Sequence, residues 1–214
     1  MGNPALLIAV AVVGYLLGSL NTSLIVGKFY GIDVRRHGSG NAGATNTLRT
    51  LGKKAAIFVS LGDILKGVVA CLIGLWLIGN VEDVGKLGVM LGGVCAIIGH
   101  NWPVFFGFKG GKGVFTTLAV TLMMDWKIGL MLLGVFILVV LITRYISLGS
   151  ILGAALFPVV GAIPVFKHSS TFIVFAAILG LLVVIRHHAN IKRLINGTEN
   201  KFGRKKTAEA GTKA

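Results

Sequence analysis

The run PALLIAVAVVGYLLGSLNTSLIVG fills residues 4–27 and contains no charged side chain. A helix needs about 20 apolar residues to cross a bilayer, so this run is long enough for one crossing. Similar runs recur along the chain, which is 55% hydrophobic and only 13% charged, against about 25% charged in soluble domains. The runs are too long and too continuous for barrel strands. The sequence therefore predicts an all-α integral membrane protein.

The distribution of basic residues predicts the number of crossings and their direction. Six further apolar segments cover residues 55–79, 87–106, 113–124, 128–143, 146–166 and 170–186. With seven transmembrane helices, the N-terminus outside and the C-terminus in the cytoplasm, 17 of the 21 Lys and Arg residues face the cytoplasm. The fourth and fifth segments are short. A re-entrant pair there would give five crossings with the same sidedness, and charge does not decide between the two.

The ends of the chain carry two further expectations. Residues 1–4 contain no Lys or Arg and no clear cleavage site follows the first run, so we expect a retained span rather than a cleaved signal peptide. We expect residues 1–196 to form a single transmembrane domain, and residues 197–214 to be a basic, disordered cytoplasmic tail. Cys71 and Cys95 lie in apolar runs and predict two small core residues, without a disulfide or metal spacing.

The first of three polar stretches is GSGNAGATNTLR, residues 38–49. Its glycine spacing matches the dinucleotide-binding fingerprint, but the βαβ unit that this fingerprint requires is missing, so we reject a nucleotide site. Glycines allow the backbone to approach a ligand closely. Ser39 lies between two of them, with Asn41 and Asn46 nearby, and is a candidate nucleophile, ligand donor or helix cap. No acid is placed to complete a catalytic triad.

The second stretch, GHNWPVFFGFKGGKGVFTT, covers residues 99–117. A glycine-rich loop that leads into a helix presents backbone N–H groups to an anion, and Lys112 would add a positive charge. It is not a Walker A loop, because Gly113 follows Lys112 and Phe106 replaces the first glycine. The pattern indicates a site for a small phosphorylated ligand. A simple turn with lysines at the headgroup level is the alternative.

The third stretch, IRHHANIKRLINGTENKF, covers residues 185–202. His187 in this stretch and His100 in the second mark the cytoplasmic ends of the seventh and third spans, each close to an asparagine. The predicted topology brings all three stretches to one face, which indicates a composite site. Asp63 and Lys66 lie three residues apart in the second span, and we interpret them as a structural ion pair.

GSGNAGATNTLR, GHNWPVFFGFKGGKG and RHHANIKRLINGTE together resemble the three signature motifs of the bacterial acyl-phosphate:glycerol-3-phosphate acyltransferases, the PlsY family. The resemblance implies a seven-helix enzyme of the bacterial cytoplasmic (inner) membrane, with its active site facing the cytoplasm. It implies transfer of a fatty acyl group from acyl phosphate to the 1-hydroxyl of sn-glycerol 3-phosphate, giving lysophosphatidic acid and phosphate. This is the first acylation of phospholipid synthesis.

The resemblance also implies roles for individual residues. Ser39, Arg49, His187 and Asn190 match the catalytic positions, the motif-two glycines with Lys112 match the glycerol-phosphate loop, and Glu199 matches a structural glutamate. Together with the polar residues around them, the expected substrate-binding set is Gly40, Asn41, Asn46, His100, Asn101, Gly107, Lys109, Gly110, Gly111, Lys112 and Gly113. Asp63, Lys66 and Glu199 are expected to be structural.

We expect direct transfer without an acyl-enzyme, with either His187 or a phosphate oxygen of the substrate as the base. The expected partners are acyl phosphate, glycerol 3-phosphate, membrane lipid and the soluble enzyme that forms acyl phosphate; we expect no cofactor, no metal and no nucleic acid. The alternatives are an organic-phosphate transporter and a lipid-binding scaffold. Polar groups clustered at one face favour the enzyme. The His-x-x-x-x-Asp pattern of another acyltransferase class follows none of the five histidines.

Overall fold

The computed structural model describes residues 3–81 and 84–203, and these residues fold as α-helices without a β-strand. The helices are α1 Pro4–Ser19, α2 Thr22–Phe29, α3 Ala44–Thr50, α4 Lys53–Ile78, α5 Leu87–Asn101, α6 Val114–Met124, α7 Trp126–Thr143, α8 Ile146–Gly161, α9 Ser170–Arg186 and α10 His188–Ile195. Short 3₁₀ turns lie at Val34–Arg36, Val104–Phe106 and Pro164–Phe166. The all-α class predicted from the sequence is confirmed.

Each predicted apolar segment is helical, but the helices differ in length. Pro4–Phe29, Lys53–Ile78, Leu87–Phe106 and Trp126–Thr143 are long and apolar enough to cross a bilayer, and a fifth span results if α9 and α10, bent by 60°, count as one. The shorter apolar helices α6 and α8 have 11 and 16 residues. The described residues thus provide four or five candidate spans by length, and seven crossings stays a prediction.

The first apolar segment is interrupted at a position that hydropathy does not reveal. α1 ends at Ser19, and Asn21 caps the new helix α2 by accepting a hydrogen bond from the Leu24 N–H at 3.1 Å. Asn21 is fully buried. An asparagine oxygen satisfies an N–H group that would otherwise be unpaired at a helix start. α1 and α2 nevertheless count together as one candidate span, Pro4–Phe29.

Small residues bring the central helices into backbone contact. A Cβ atom on Gly14 would approach Gly92, one on Gly18 would clash with Ala96, and one on Gly74 would clash with Gly88. These contacts join α1 to α5 and α5 to α4. Membrane helices pack in this way because lipid is as apolar as their side chains, so close backbone contact drives association. Cys71 is fully buried in the core and Cys95 is partly buried, both as free thiols.

The three polar stretches meet at one end of the helices, which we call the motif end. Arg35, just before the first stretch, ties this part of the chain to the second stretch by donating to the Phe106 and Lys109 carbonyls at 3.1 and 3.2 Å. Residues after α10 return to the start of α8, where the Phe202 N–H donates to the Arg144 carbonyl at 2.7 Å. The predicted clustering of the stretches is therefore present. The division into a domain and a tail stays a prediction, since residues 204–214 lie outside the described residues.

Candidate active site

A polar cavity of about 150 Å³ opens at the motif end between all three stretches, with α4 and α8 completing its wall. Eleven residues from the predicted set line it: Ser39, Asn41, Asn46, Arg49, Asp63, His100, Lys112, Gly113, His187, Asn190 and Glu199. Gly40, Asn101, Gly107, Lys109, Gly110, Gly111 and Lys66 are not part of its wall. The structure thus brings together the predicted catalytic residues and separates them from most of the glycine-rich loop.

Asn46 holds Ser39 at the edge of the cavity. The Asn46 Oδ1 atom accepts from the Ser39 N–H at 2.7 Å and from the Ser39 hydroxyl at 3.1 Å. Both protons of the Asn46 amide are donated to the Val34 and His37 carbonyls, at 2.8 and 3.0 Å. Asn46 therefore has no amide proton left for a ligand and acts on the site through Ser39. Ser39 is not a helix cap, because α3 begins after Gly43.

The glycine-rich loop is fastened by protein hydrogen bonds. The N–H groups of Gly110 and Gly111 donate to the Asn101 and His100 carbonyls at 3.3 and 3.1 Å, carbonyls that the end of α5 leaves unpaired. Arg186 donates to the Gly111 carbonyl at 2.8 and 3.0 Å. The expectation that these loop N–H groups face an anion is thus wrong for Gly110 and Gly111, because the end of α5 has already engaged them.

Backbone suited to binding an anion lies a few residues later, where α6 begins. Gly113 precedes the helix with a φ of +70°, a conformation that L side chains rarely adopt. The first N–H groups of any helix lack partners within that helix, and here Gly113, Val114 and Phe115 line the cavity. The start of α6 and the Lys112 ammonium together form a site suited to an anion.

A chain of hydrogen bonds fixes Lys112 from the third stretch. The Lys112 ammonium donates to the Asn190 Oδ1 atom, and the Asn190 amide donates to the Glu199 carboxylate at 2.8 Å. Glu199 also accepts from Ser147 at 2.9 Å and from Arg193 at 2.7 Å. Because Glu199 accepts the Asn190 amide protons, the Asn190 oxygen is turned toward Lys112.

The pKa values of Lys112 and Glu199 reflect these surroundings. Burial lowers the pKa of the Lys112 ammonium to about 8, Arg193 adds to the decrease and Glu199 opposes it. Burial alone would raise the pKa of the Glu199 carboxyl, but hydrogen bonds from Asn190, Arg193 and Ser147 outweigh it and lower that pKa below its usual value. Glu199 is therefore ionised, and Lys112 is mostly charged at pH 7.

His187 presents a proton acceptor to the cavity. Its Nδ1 atom lies 2.8 Å from the Val183 carbonyl oxygen, and a carbonyl can only accept, so Nδ1 carries the proton. In the neutral ring the Nε2 atom then has a free lone pair. His187 is only 2% exposed and lines the cavity. This tautomer can receive a proton from a bound alcohol.

Asp63, Lys66 and His100 form a buried cluster in which Asp63 and His100 belong to the cavity wall and Lys66 lies behind them. The Lys66 ammonium lies 2.9 Å from the Asp63 carboxylate, so the predicted ion pair is present. Thr22 donates to the same carboxylate at 3.2 Å. Asn101 next to His100 is fully buried, and neither polar atom of its amide has a hydrogen-bond partner among the described residues.

Three residues that fix the site were not singled out as site residues from the sequence: Arg35, Ser147 and Arg186. Arg35 pairs with Asp33 at 2.8 Å, and their spacing of two residues was the available signal. The Arg186 guanidinium is engaged with the loop carbonyls and lies over the Trp102 ring at 5.3 Å. Ser147 gave no signal, because one serine in an apolar segment is common.

An apolar groove of about 110 Å³ adjoins the polar cavity and shares Val114, Phe115 and Ser150 with it. It runs between α6, α7, α8 and α9, and small residues such as Gly129, Gly149, Gly153 and Gly180 line it. The arrangement suits a molecule with a charged head and an apolar chain. Among the described residues, no three His, Cys, Asp or Glu side chains form a group that could hold a metal ion.

Residues 8–197 match the family model described as glycerol-3-phosphate acyltransferase. The chain belongs to this family. A glycerol-3-phosphate acyltransferase of Clostridioides difficile (strain 630) is 50% identical over 204 residues, covering 93% of this chain and 97% of that protein. One from Thermoanaerobacter sp. (strain X514) is 45% identical, covering 91% and 95%. The family and enzyme class predicted from the three motifs are confirmed.

Solved structures show the same fold. The structure is similar to a crystal structure of PlsY (YgiH), an integral membrane glycerol 3-phosphate acyltransferase, in its glycerol 3-phosphate form. The TM-score is 0.82 at 37% identity, covering 92% of this chain and 96% of that chain. The lysophosphatidic acid form of PlsY gives a TM-score of 0.79 at 36% identity, covering 92% and 95%. The chain is therefore an integral membrane protein of the same architecture.

Proposed function

We propose that this protein transfers a fatty acyl group from acyl phosphate to the 1-hydroxyl of sn-glycerol 3-phosphate, giving lysophosphatidic acid and phosphate. The observation that carries the proposal is the junction of the basic cavity with the apolar groove at Val114, Phe115 and Ser150. A phosphorylated head fits the first and an acyl chain fits the second. The reacting carbonyl would then lie at the junction.

The charge balance of the cavity suits phosphorylated substrates. Among its acidic residues, Asp63 is paired with Lys66 at 2.9 Å and Glu199 with Arg193 at 2.7 Å. Arg49 and Lys112 add positive charge to the same wall. Two phosphate groups bring negative charge that these cations and the start of α6 can hold by charge-assisted hydrogen bonds. We assign the glycerol 3-phosphate head to Lys112 and the start of α6, and the acyl phosphate to Arg49 and Ser39.

The reaction needs one proton transfer. The 1-hydroxyl oxygen attacks the acyl carbon, the new ester C–O bond forms, and the C–O bond to phosphate breaks after a tetrahedral oxyanion. Phosphate leaves as a stable anion and needs little acid help. The hydroxyl proton goes to the His187 Nε2 atom, which has a lone pair because Nδ1 donates to the Val183 carbonyl, or to a phosphate oxygen of the substrate. We assign the Ser39 hydroxyl to the oxyanion; to donate there it must rotate away from the Asn46 amide oxygen, which lies 3.1 Å from it.

Direct transfer fits the surroundings of Ser39 better than an acyl-enzyme. Its hydroxyl proton points to the Asn46 amide oxygen at 3.1 Å, and an amide oxygen cannot act as a general base. Among the described residues, no histidine bonds the Ser39 hydroxyl. A serine without a base is a weak nucleophile, whereas acyl phosphate is already activated for a bound alcohol.

We place the enzyme in the bacterial cytoplasmic membrane with seven crossings, the N-terminus outside and the motif end in the cytoplasm. The support is the sequence distribution of Lys and Arg, because 17 of the 21 fall in segments that this orientation assigns to the cytoplasm. Glycerol 3-phosphate and acyl phosphate would then reach the cavity from the cytoplasm, the latter from the soluble enzyme that forms it.

The test uses purified protein in lipid vesicles with acyl phosphate and radiolabelled glycerol 3-phosphate. Labelled lysophosphatidic acid and one equivalent of phosphate are the expected products, and the Lys112→Met variant should form them far more slowly. Acyl-coenzyme A in place of acyl phosphate serves as the donor control. Uptake of labelled glycerol 3-phosphate into the vesicles without product would instead indicate a transporter and overturn the proposal.

A further inference from the structure

The ammonium of Lys66 uses all three of its protons in a buried position. It lies 2.9 Å from the Asp63 carboxylate, 3.3 Å from the Leu20 carbonyl oxygen and 2.8 Å from the His100 Nδ1 atom. Lys66 is 6% exposed, Asp63 3% and His100 2%. A buried ion pair is weak evidence for stability, because desolvation offsets much of the attraction. The third contact suggests another role for this pair.

Contact with Lys66 fixes the tautomer of His100. A charged ammonium has three donors and no acceptor, so the Nδ1 atom of His100 must accept. The neutral ring then carries its proton on Nε2. The Asp63 carboxylate is 3.4 Å from the same Nδ1 atom, farther than the ammonium, so it does not take a proton from it. A doubly protonated ring is disfavoured because an Nδ1 proton would point at the ammonium.

The Nε2 atom of His100 faces the glycine-rich loop beside the cavity. A Cβ atom on Gly111 would clash with this nitrogen, which shows how closely the loop passes. His100 lines the cavity with Lys112 and Gly113. No acceptor within the described residues bonds the Nε2 atom. A fixed N–H donor without a protein acceptor therefore lies next to the loop that leads to the start of α6.

We propose that Lys66 and Asp63 lock His100 as an Nε2–H donor to the phosphate of glycerol 3-phosphate. The identity of this anion rests on the proposed function. His100 contacts the substrate, and Lys66 and Asp63 are positioning residues that act through it. The two cavity histidines thus have opposite tautomers: His100 donates to an anion, and His187 accepts a proton.

The Asp63–Lys66 ion pair determines whether the Nε2 atom of His100 attracts or repels a phosphate oxygen. Without the Lys66 ammonium, the neighbouring Asp63 carboxylate would attract a proton to Nδ1, and Nε2 would turn a lone pair toward a phosphate oxygen. Two acceptors repel each other. A lysine three residues after an aspartate on one helix face therefore does more than neutralise charge: it selects the donor form of a ring on the neighbouring helix α5.

Two matched substitutions of His100 test the roles of its two ring nitrogens separately. Glutamine reaches the Nε2 position with an amide N–H, whereas asparagine reaches only the Nδ1 position, where it can accept from Lys66. We expect His100→Asn to weaken glycerol 3-phosphate binding by about 10- to 100-fold, the loss of one charge-assisted hydrogen bond, and His100→Gln to restore most of the affinity. The exposed His188→Asn is the control and should bind as wild type does.

The measurement is equilibrium binding of glycerol 3-phosphate to detergent-solubilised protein, together with ¹⁵N NMR of labelled histidines. The spectra should show His100 protonated on Nε2 and His187 on Nδ1, with His100 assigned from the His100→Gln spectrum. A Michaelis constant for glycerol 3-phosphate that rises with a nearly unchanged kcat in His100→Asn supports the same role. Equal melting temperatures of both variants exclude a folding effect.

Two results would overturn the inference. One is equal affinity of His100→Asn and wild type for glycerol 3-phosphate, and the other is an Nδ1-protonated His100 in the wild-type spectrum. Either can occur in an enzyme that makes lysophosphatidic acid, so the proposed function would stand. Conversely, a protein that binds glycerol 3-phosphate through His100 but forms no product would keep this inference and remove the acyltransferase assignment.

Discussion

The Lys112 ammonium donates to the side-chain oxygen of Asn190, a contact that joins the glycine-rich loop to α10 over 78 residues of sequence. Asn190 is oriented in turn by Glu199, 2.8 Å from its amide nitrogen. The third polar stretch therefore controls where the cation of the second stretch points. Because that cation has a lowered pKa, its charge can be tested by pH.

Binding of glycerol 3-phosphate should weaken above pH 8. Burial lowers the pKa of Lys112 to about 8, so the side chain is charged below this pH and neutral above it. The substrate phosphate has its second pKa near 6 and keeps its charge over this range. We expect affinity to fall by about 10-fold between pH 7 and pH 9, measured by equilibrium binding without acyl donor.

Lys112→Arg is the control for this pH dependence. A guanidinium stays charged up to pH 12, so any binding that this variant retains should not fall between pH 7 and pH 9. An equally steep decrease in the arginine variant would show that another group titrates, and would remove Lys112 as the cause.

Gly111→Ala should raise the Michaelis constant for glycerol 3-phosphate. A Cβ atom at this position would clash with the His100 Nε2 atom and the Ala42 carbonyl oxygen, so the loop must move away from both. The kcat should change less, because Ser39 and His187 lie on other elements. Gly107→Ala is a poor control for this variant, because φ at Gly107 is +64° and an alanine there would be strained. Lys109→Ala is a suitable control, because Lys109 occupies an exposed loop position.

An unchanged Michaelis constant in folded Gly111→Ala protein would mean that the loop tolerates the displacement and does not position the substrate. Steady-state kinetics with varied glycerol 3-phosphate at saturating acyl phosphate distinguishes the two cases. A melting temperature recorded in the same detergent shows whether the variant is folded.

The sequence predicted the helical class, the apolar segments and the meeting of three polar stretches, because hydropathy and residue type carry that information. It did not predict which polar groups are already engaged. The Gly110 and Gly111 N–H groups looked free from their spacing, but the end of α5 uses them. Asn46 looked like a ligand donor, but Val34 and His37 take both amide protons. Such partners depend on tertiary packing, which no local pattern contains.

Crossing number is the other quantity that the sequence left open, and the structure explains why. α6 has 11 residues and α8 has 16, shorter than the about 20 apolar residues of a typical span. Both border the apolar groove. Helix length alone therefore does not determine the number of crossings in this chain. The side of the membrane on which each loop lies must be measured.

Single cysteines should report that sidedness. In a Cys71→Ala, Cys95→Ala background we expect Lys109→Cys and Thr198→Cys to resist an impermeant thiol reagent in intact cells and to react after permeabilisation. Lys167→Cys, at the opposite end of the helices, should react without permeabilisation. All three positions are exposed. The reverse labelling pattern would invert the proposed orientation.

Ser39→Ala should reduce turnover by about 10²–10³-fold if its hydroxyl supplies one hydrogen bond to the developing oxyanion. The Asn46 amide oxygen positions Ser39 by accepting from its N–H at 2.7 Å and its hydroxyl at 3.1 Å, so Asn46→Ala should lower the rate as well because Ser39 loses this positioning. Ser39→Thr keeps a hydroxyl and is the matched variant. Rates with saturating acyl phosphate and glycerol 3-phosphate measure the effect.

The same serine decides between direct transfer and a covalent route. Because no base bonds its hydroxyl among the described residues, enzyme mixed with acyl phosphate alone should gain no acyl mass by intact-protein mass spectrometry. Initial rates should follow a sequential pattern, since both substrates must be bound together. An acylated Ser39 peptide that forms as fast as turnover, with ping-pong kinetics, would replace direct transfer by a two-step mechanism. The substrates would stay the same, but His187 would then have to move to activate the serine.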